Sequence, residues 1–314
     1  MRAVVLDESG VRFDSEYSAT EPSGAIPVRV LKAGICETDL QLIQGYMGFR
    51  GVLGHEFVGI AEAGQFAGER VVGEINCACG DCRECRAGLG THCPHRTVVG
   101  ILNHDGAFAE RVWLPEENLH VVPDNVSDEA AVFVEPLAAA FQIPAQLDLS
   151  RFPECVVLGD GRLGNLCAQV LRHQGCRVRV VGKHPEKLER LARLGLSTCL
   201  LSEVAGDRDA DLVVDCTGSP TGMPTAVGLV KPRGTIVMKT TVAGETGPNL
   251  ASVVIDELTV VGSRCGPFPA AIKALAEGAI DVTSLITHIA PLEEATAALE
   301  LAKRPDQLKV LLHL

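Results

Sequence analysis

No uninterrupted apolar run in this chain of 314 residues reaches the ~18 residues that a membrane span needs. Met1 to Leu6 begin at once as a strand, without the basic stretch followed by an apolar one that marks a secretory leader. Positive charge is also scarce: 28 Lys and Arg against 40 Asp and Glu give a formal net charge of −12. That balance argues against a nucleic acid or an anionic membrane held by bulk electrostatics. Internal repeats and low-complexity tracts are absent as well. The expectation is a cytoplasmic protein with a small-molecule substrate, no nucleic-acid partner and no membrane partner.

What is present fits a compact soluble chain, with 46% hydrophobic and 22% charged residues. At ~150 residues per domain the length suggests about two domains, each able to bury a core. Twelve cysteines would point to disulfides in a small secreted domain. Here they cluster as metal-ligand types or sit singly in apolar runs, and Cys155, Cys167, Cys176, Cys199 and Cys216 read as small buried hydrophobes in a reducing compartment.

The most informative stretch is Cys79-Gly-Asp-Cys82-Arg-Glu-Cys85, which continues to Cys93. Four thiols spaced C-x2-C-x2-C-x7-C can close around one tetrahedral zinc, because short intervals place neighbouring sulfurs on one turn and the longer one lets the loop return. Cys77 is an adjacent spare thiol. A second set, Cys36, His55-Glu56 and Glu135, is mixed in type and scattered in sequence. That is the pattern of a zinc that keeps a position open for substrate. The reading is two zincs per chain, one structural and one catalytic.

From Met1 to about Val122, short runs broken by Gly, Pro and Asp predict strands at Ala3–Leu6, Pro27–Ala33, Phe57–Ala63, Arg70–Val72, Phe108–Leu114 and Leu119–Val122. Together they predict an all-β, barrel-like unit. Ser127 then caps a helix over Asp128 to about Gln142, which Glu135-Pro136 is expected to interrupt. The strand Glu154–Leu158 runs into Gly159-Asp-Gly161-Arg162-Leu163-Gly164 and a helix to about Gln174. Strands at Arg177–Val181, Asp211–Val214, Thr235–Lys239 and Leu258–Val261, with a helix at Glu186–Leu194, complete a parallel doubly wound sheet. Too little chain lies between Gly195 and Asp211 for a full crossover helix. Helices at Pro269–Glu277 and Leu292–Lys303 and a strand at Gln307–Leu314 form a tail that returns to the first domain.

The glycine fingerprint directly after an apolar strand points to a dinucleotide. Gly159 allows the tight turn, Gly161 lets the backbone approach a pyrophosphate, and Gly164 lets helix pack on strand. The acid expected at the end of the second strand is missing, where the chain reads Val181-Gly182-Lys183-His184. Its absence removes repulsion against a 2'-phosphate that Lys183 and His184 could bind, which favours NADP over NAD. The alternative is that Lys183 is a surface lysine and NAD binds through backbone and Thr217. Arg264 follows a strand end near the expected cofactor crevice, where it either touches phosphate or makes a surface salt bridge.

Gly34-Ile-Cys36-Glu-Thr38-Asp39, Gly54-His55-Glu56-Phe-Val-Gly59, the four-cysteine lobe, Glu135-Pro136-Leu137 and the Gly159 fingerprint occur in the order found in zinc-containing medium-chain dehydrogenases/reductases. Over almost its whole length the chain resembles that alcohol and polyol dehydrogenase family. The resemblance implies an α/β chain with a GroES-like β-barrel catalytic domain over 1–126, including the zinc lobe 77–93. A Rossmann doubly wound domain over 127–265, entered by a helix at 128–147, and a completing segment over 266–314 would follow. It implies that Cys36 and His55 hold a catalytic zinc. Glu135 resembles the third ligand of members that use carboxylate in place of cysteine, and Glu56 either binds the metal or exchanges with water. Asp39 would orient His55. Thr38 resembles the hydroxyl that begins the proton relay. Gln41 stands where many relatives have histidine, and it cannot titrate.

The function so implied is hydride transfer between NAD(P) and a secondary alcohol, polyol or sugar-like substrate in a homodimer or homotetramer, with the glutamate at position 135 tilting the analogy toward polyol, threonine and sugar members. Tyr46, Met47, Phe49 and Trp113 are either pocket residues or ordinary packing. Two competing readings are a zinc-free quinone or enal reductase on the same fold and a non-catalytic dinucleotide sensor carrying a zinc lobe. Cys36, His55 and Glu135 speak against the first.

Overall fold

The computed structural model describes residues 1–204, 206, 208–239, 241 and 250–314. The chain divides into two compact units, Met1–Glu135 with Phe268–Leu314 and Pro136–Pro267. The helix Asp128–Ala131, read from the sequence as part of the nucleotide domain's entry, therefore falls in the first unit. No helix among the described residues is long and apolar enough to cross a membrane.

The first unit is predominantly antiparallel β. Its larger sheet runs Leu119–Val121, Arg70–Gly73, Glu56–Ala61, Ile26–Gly34, Lys309–His313, Ile286–Pro291, with Arg111–Leu114 pairing on Ile26–Gly34. Along the strand Ile26–Gly34, Val28 and Val30 are buried on alternate positions, and the register shift against its neighbour between Val30 and Lys32 breaks the alternation before buried Ala33. The tail strand Lys309–His313 pairs antiparallel with it, setting Leu311 opposite Gly34. Ile286–Pro291, a strand not expected from the sequence, pairs parallel with this strand. A smaller sheet joins Gly10–Asp14, Ala3–Asp7 and Gly51–Val52.

The expected helix break lies elsewhere than at Glu135-Pro136. The chain forms two helices, Asp128–Ala131 and Val134–Gln146, so Glu135 and Pro136 open the second one. Proline is tolerated in a first helical turn, where its missing N–H has no intrahelical partner to lose. Ser127 Oγ does cap the first helix, accepting from Ala130 N at 3.2 Å.

The second unit carries a six-stranded sheet in the order Ser197–Leu200, Arg177–Gly182, Glu154–Leu158, Ala210–Asp215, Val230–Met238, Thr259–Gly262. Every pairing is parallel. In sequence order this is 3-2-1-4-5-6, the doubly wound arrangement. Its central strands are runs of valine and leucine buried on both faces, which is what helices packed above and below require. The strand Ser197–Leu200 and a 3-10 turn at Leu201–Glu203 occupy the stretch judged too short for a helix. The sequence reading missed that strand, and it also started Val230–Met238 five residues late. Cys155, Cys167 and Cys176 are buried as expected, while Cys199 and Cys216 are only partly so.

Candidate active site and metal centres

Cys36 ends the turn after Ile26–Gly34 and starts the helix Glu37–Ile43. His55 directly precedes the neighbouring strand Glu56–Ala61, whose register sets Glu56 opposite Gly34. Two short stretches 20 residues apart are thereby folded onto one point. One ligand atom each from Cys36, His55 and Glu56 lies within 4.8 Å of the others. A side chain at position 34 would not fit here, since its Cβ would meet Glu56 Oε2 at 2.6 Å and Val132 Cγ1 at 2.8 Å.

Asp39, fully buried, organises this point. Its Oδ2 accepts from Cys36 N at 2.8 Å and its Oδ1 from Gly54 N at 3.2 Å, so one carboxylate ties the two ligand-bearing turns together. Oδ1 also faces His55 Nδ1 at 3.3 Å, an ion-pair distance without a well-formed hydrogen bond. Burial opposes a charge on His55, yet Asp39 and Cys36 outweigh it and hold the imidazole well above its ordinary pKa. The pocket therefore calls for a positive charge. A thiol, an imidazole and a carboxylate with such a field fit a zinc ion, which would replace the proton.

The sequence reading missed Lys309. Its ammonium pairs with Glu56 Oε2 inside the unit, lies 3.4 Å from the Ile35 carbonyl and stands 5.4 Å from the Phe133 ring centroid. A lysine within the apolar run Leu308 to Leu312 was the available signal. Thr38 Oγ1 is 3.8 Å from Cys36 Sγ. Glu135 is not among the three residues whose ligand atoms gather. Phe49 and Trp113 are buried, and Trp113 lines a groove with Cys77, Cys79 and His95, apart from the Cys36 group. Tyr46 and Met47 are exposed at 37% and 50%.

The four cysteines of the lobe also converge, with one sulfur each from Cys79, Cys82, Cys85 and Cys93 mutually within 4.8 Å. Cys77 stays outside this set, buried, with its thiol pushed up to about 11 by desolvation. Backbone N–H donation led by Cys79, against some burial, pulls the Cys93 thiol down to about 6. Four convergent thiols of which one already favours thiolate suit a closed tetrahedral zinc.

In the second unit the glycine turn has the shape a pyrophosphate needs. Gly159 adopts φ +113, and a Cβ there would meet the Cys216 carbonyl oxygen at 2.7 Å. A Cβ on Gly164 would strike the Gly159 carbonyl oxygen, whereas one on Gly161 would find open space. The turn leads into the 12-residue helix Arg162–His173, so backbone N–H groups from Arg162 and Leu163 onward lie at its positive end. The residues thus fit a dinucleotide phosphate. Thr217 directs its hydroxyl to Asp215 Oδ1 at 2.8 Å. The Arg264 carbonyl accepts from Lys239 Nζ at 3.1 Å. Asp160 turns its carboxylate onto the backbone of Lys183 and His184.

Residues 22–124 match the alcohol dehydrogenase GroES-like domain, and residues 163–279 match the zinc-binding dehydrogenase domain. A sorbitol dehydrogenase of Halalkalibacterium halodurans is 28% identical, with 99% of each chain covered. The alcohol dehydrogenase of Thermus sp. ATN1 is 30% identical with a TM-score of 0.87, covering 100% of this chain and 99% of that one. A short chain alcohol dehydrogenase of E. coli CFT073, complexed with cofactor NADH, is 26% identical with a TM-score of 0.91 and the same coverage. With a GroES-like and a dinucleotide-binding module in this order, the chain belongs to the zinc-containing medium-chain dehydrogenase/reductase family.

Proposed function

We propose that this chain is a zinc-dependent dehydrogenase that moves hydride between a secondary alcohol, polyol or sugar-like substrate and a nicotinamide dinucleotide. The observation that carries the reading is the gathering of half-buried Cys36 with buried His55 and Glu56 in a chain that also holds the Gly159 cradle. Zinc, when bound, supplies a Lewis acid that polarises the substrate oxygen.

The chain's own residues do the rest. Asp39 fixes Cys36 and His55 in relation to each other, and Thr38 takes the substrate's proton at Oγ1 and hands it outward. Gln41 cannot titrate, so the outer path falls to water and a ribose hydroxyl. Glu56, paired with Lys309, would either bind the metal or exchange with water, and Glu135 would be the third ligand beside Cys36 and His55. Cys79, Cys82, Cys85 and Cys93 hold the second zinc as a fold-stabilising clip.

Gly159, Gly161, Arg162, Leu163 and Gly164 receive the pyrophosphate, with Thr217 and Arg264 at its margins. Gly182, Lys183 and His184 receive the adenosine ribose, and NADP is preferred because Lys183 offers a cation to a 2'-phosphate. The sorbitol dehydrogenase relative supports a polyol-like substrate. Assembly as a homodimer or homotetramer belongs to the same reading, and Val254 and Ile255, exposed at 77% and 78% near the edge strand Thr259–Gly262, suit it.

Following NAD(P)H absorbance across a panel of secondary alcohols, polyols, sugars and aldehydes tests the proposal. Turnover with at least one class, lost on chelation and restored by zinc, is expected. Turnover that survives complete removal of zinc would refute it.

A further inference from the structure

The second strand ends without an acid, yet a carboxylate stands there. It comes from inside the glycine turn. Asp160 Oδ2 accepts from Lys183 N at 2.7 Å and from His184 N at 2.8 Å. His184 Nδ1 lies 2.9 Å from Asp160 Oδ1 and 3.1 Å from Oδ2. A Cβ added to Gly182 would come 2.6 Å from Asp160 Cβ and 2.7 Å from its Cγ, so the Asp160 side chain fills the space that an acid on the strand would need. Gly182 and Asp160 are therefore one device.

The Asp160 side chain is 7% exposed and its oxygens are occupied by the loop, whereas the His184 ring is 39% exposed. An ionised carboxylate can only accept, so the hydrogen sits on His184 Nδ1 and the ring is held by that edge. Nε2, on the opposite edge, is bonded by no described residue, and Lys183, the preceding residue, is exposed. We propose that Asp160 is a positioning residue for the 2'-phosphate of NADP: it pins the Gly182–His184 turn and orients His184 so that, in the imidazolium form with a hydrogen on both ring nitrogens, Nε2–H donates to the phosphate alongside the Lys183 ammonium. This rests on the NADP reading above. Asp160 acts through His184 and does not touch the ligand, since two backbone N–H groups and the imidazole surround its charge.

Direct binding tests this without any turnover. Adenosine 2',5'-bisphosphate and AMP carry the ribose end alone, and their affinities for the zinc-loaded protein can be measured by calorimetry for wild type, Asp160→Asn, His184→Ala and the double variant. The wild type is expected to favour the bisphosphate by about tenfold or more. Asp160→Asn should lose most of that ratio, with bisphosphate affinity falling by a much larger factor than AMP affinity and the melting temperature staying close to wild type. Once His184 is alanine, adding Asp160→Asn should change the ratio by less than about twofold, as for two residues acting as one unit. A wild-type preference that Asp160→Asn keeps or increases would overturn the Asp160 role alone, as would a parallel loss for both ligands with a lowered melting temperature. A wild type that binds both ligands equally would overturn the NADP reading and this inference with it.

Discussion

Lys309 closes its ammonium on the Glu56 carboxylate, and each side chain is only 2% exposed. The pair joins the tail strand Lys309–His313 to the strand that carries the metal-type residues, 253 positions earlier in the chain. Removing one partner of a buried pair leaves an uncompensated charge, which costs ~3–5 kcal/mol. Lys309→Met should therefore destabilise the protein by about that amount in denaturant unfolding, and the double variant Lys309→Met with Glu56→Gln should recover much of it. Equal stability of the single and double variants would show that the two groups are not coupled.

The lobe predicts a different phenotype. Cys82→Ser should remove one zinc equivalent by mass spectrometry and lower the melting temperature by more than about 5 °C, because a closed zinc site contributes folding energy. An unchanged metal count would contradict the structural assignment.

The two gatherings of metal-type side chains were legible from the sequence because metal chemistry constrains residue type and spacing more tightly than it constrains the fold. Gly-His-Glu, Cys36 and the C-x2-C-x2-C-x7-C lobe needed no knowledge of the strands between them. Glu135 is the exception, since its likeness to a ligand came from family resemblance, and the gathered atoms are those of Cys36, His55 and Glu56. Lys309 and Asp160 were not legible in their roles. Each acts on a partner fixed by tertiary pairing, across the sheet for Lys309 and from the glycine turn onto the next strand for Asp160. Ser197–Leu200 and Ile286–Pro291 were missed for a related reason: they are short strands without a clean two-residue alternation, and only their neighbours select them.

The glycine turn predicts a steric effect. A Cβ at position 164 would strike the Gly159 carbonyl oxygen and approach Cys216 Cβ to 3.7 Å. Gly164→Ala should cost ~1–3 kcal/mol of stability and weaken dinucleotide affinity at least about tenfold. Calorimetric titration with NADPH and NADH checks it, and undiminished affinity would show that helix and strand can part without harm to the cradle.

Acid should loosen the second unit through Asp211. Its carboxylate accepts from Glu154 N at 2.9 Å and pairs with Lys231. Burial works against the charged form, but Lys231 and the Glu154 N–H prevail and hold the pKa below its ordinary 3.8. A depressed folded pKa means stability that is present above the unfolded value and lost as pH falls through the folded one. Asp211→Asn should thus be less stable than wild type at neutral pH, with the difference shrinking below pH 3.8. Urea midpoints measured across that window test this, and a difference that grows toward acid would reverse the sign and refute it.

The central claim is that Cys36, His55 and Glu56 enclose a zinc ion distinct from the one in the cysteine lobe. An anomalous difference map collected at the zinc edge from crystals of the zinc-loaded protein tests it most directly. The account predicts two peaks per chain, one among Cys36, His55 and Glu56 and one among Cys79, Cys82, Cys85 and Cys93. A map with its only peak at the four cysteines would contradict it.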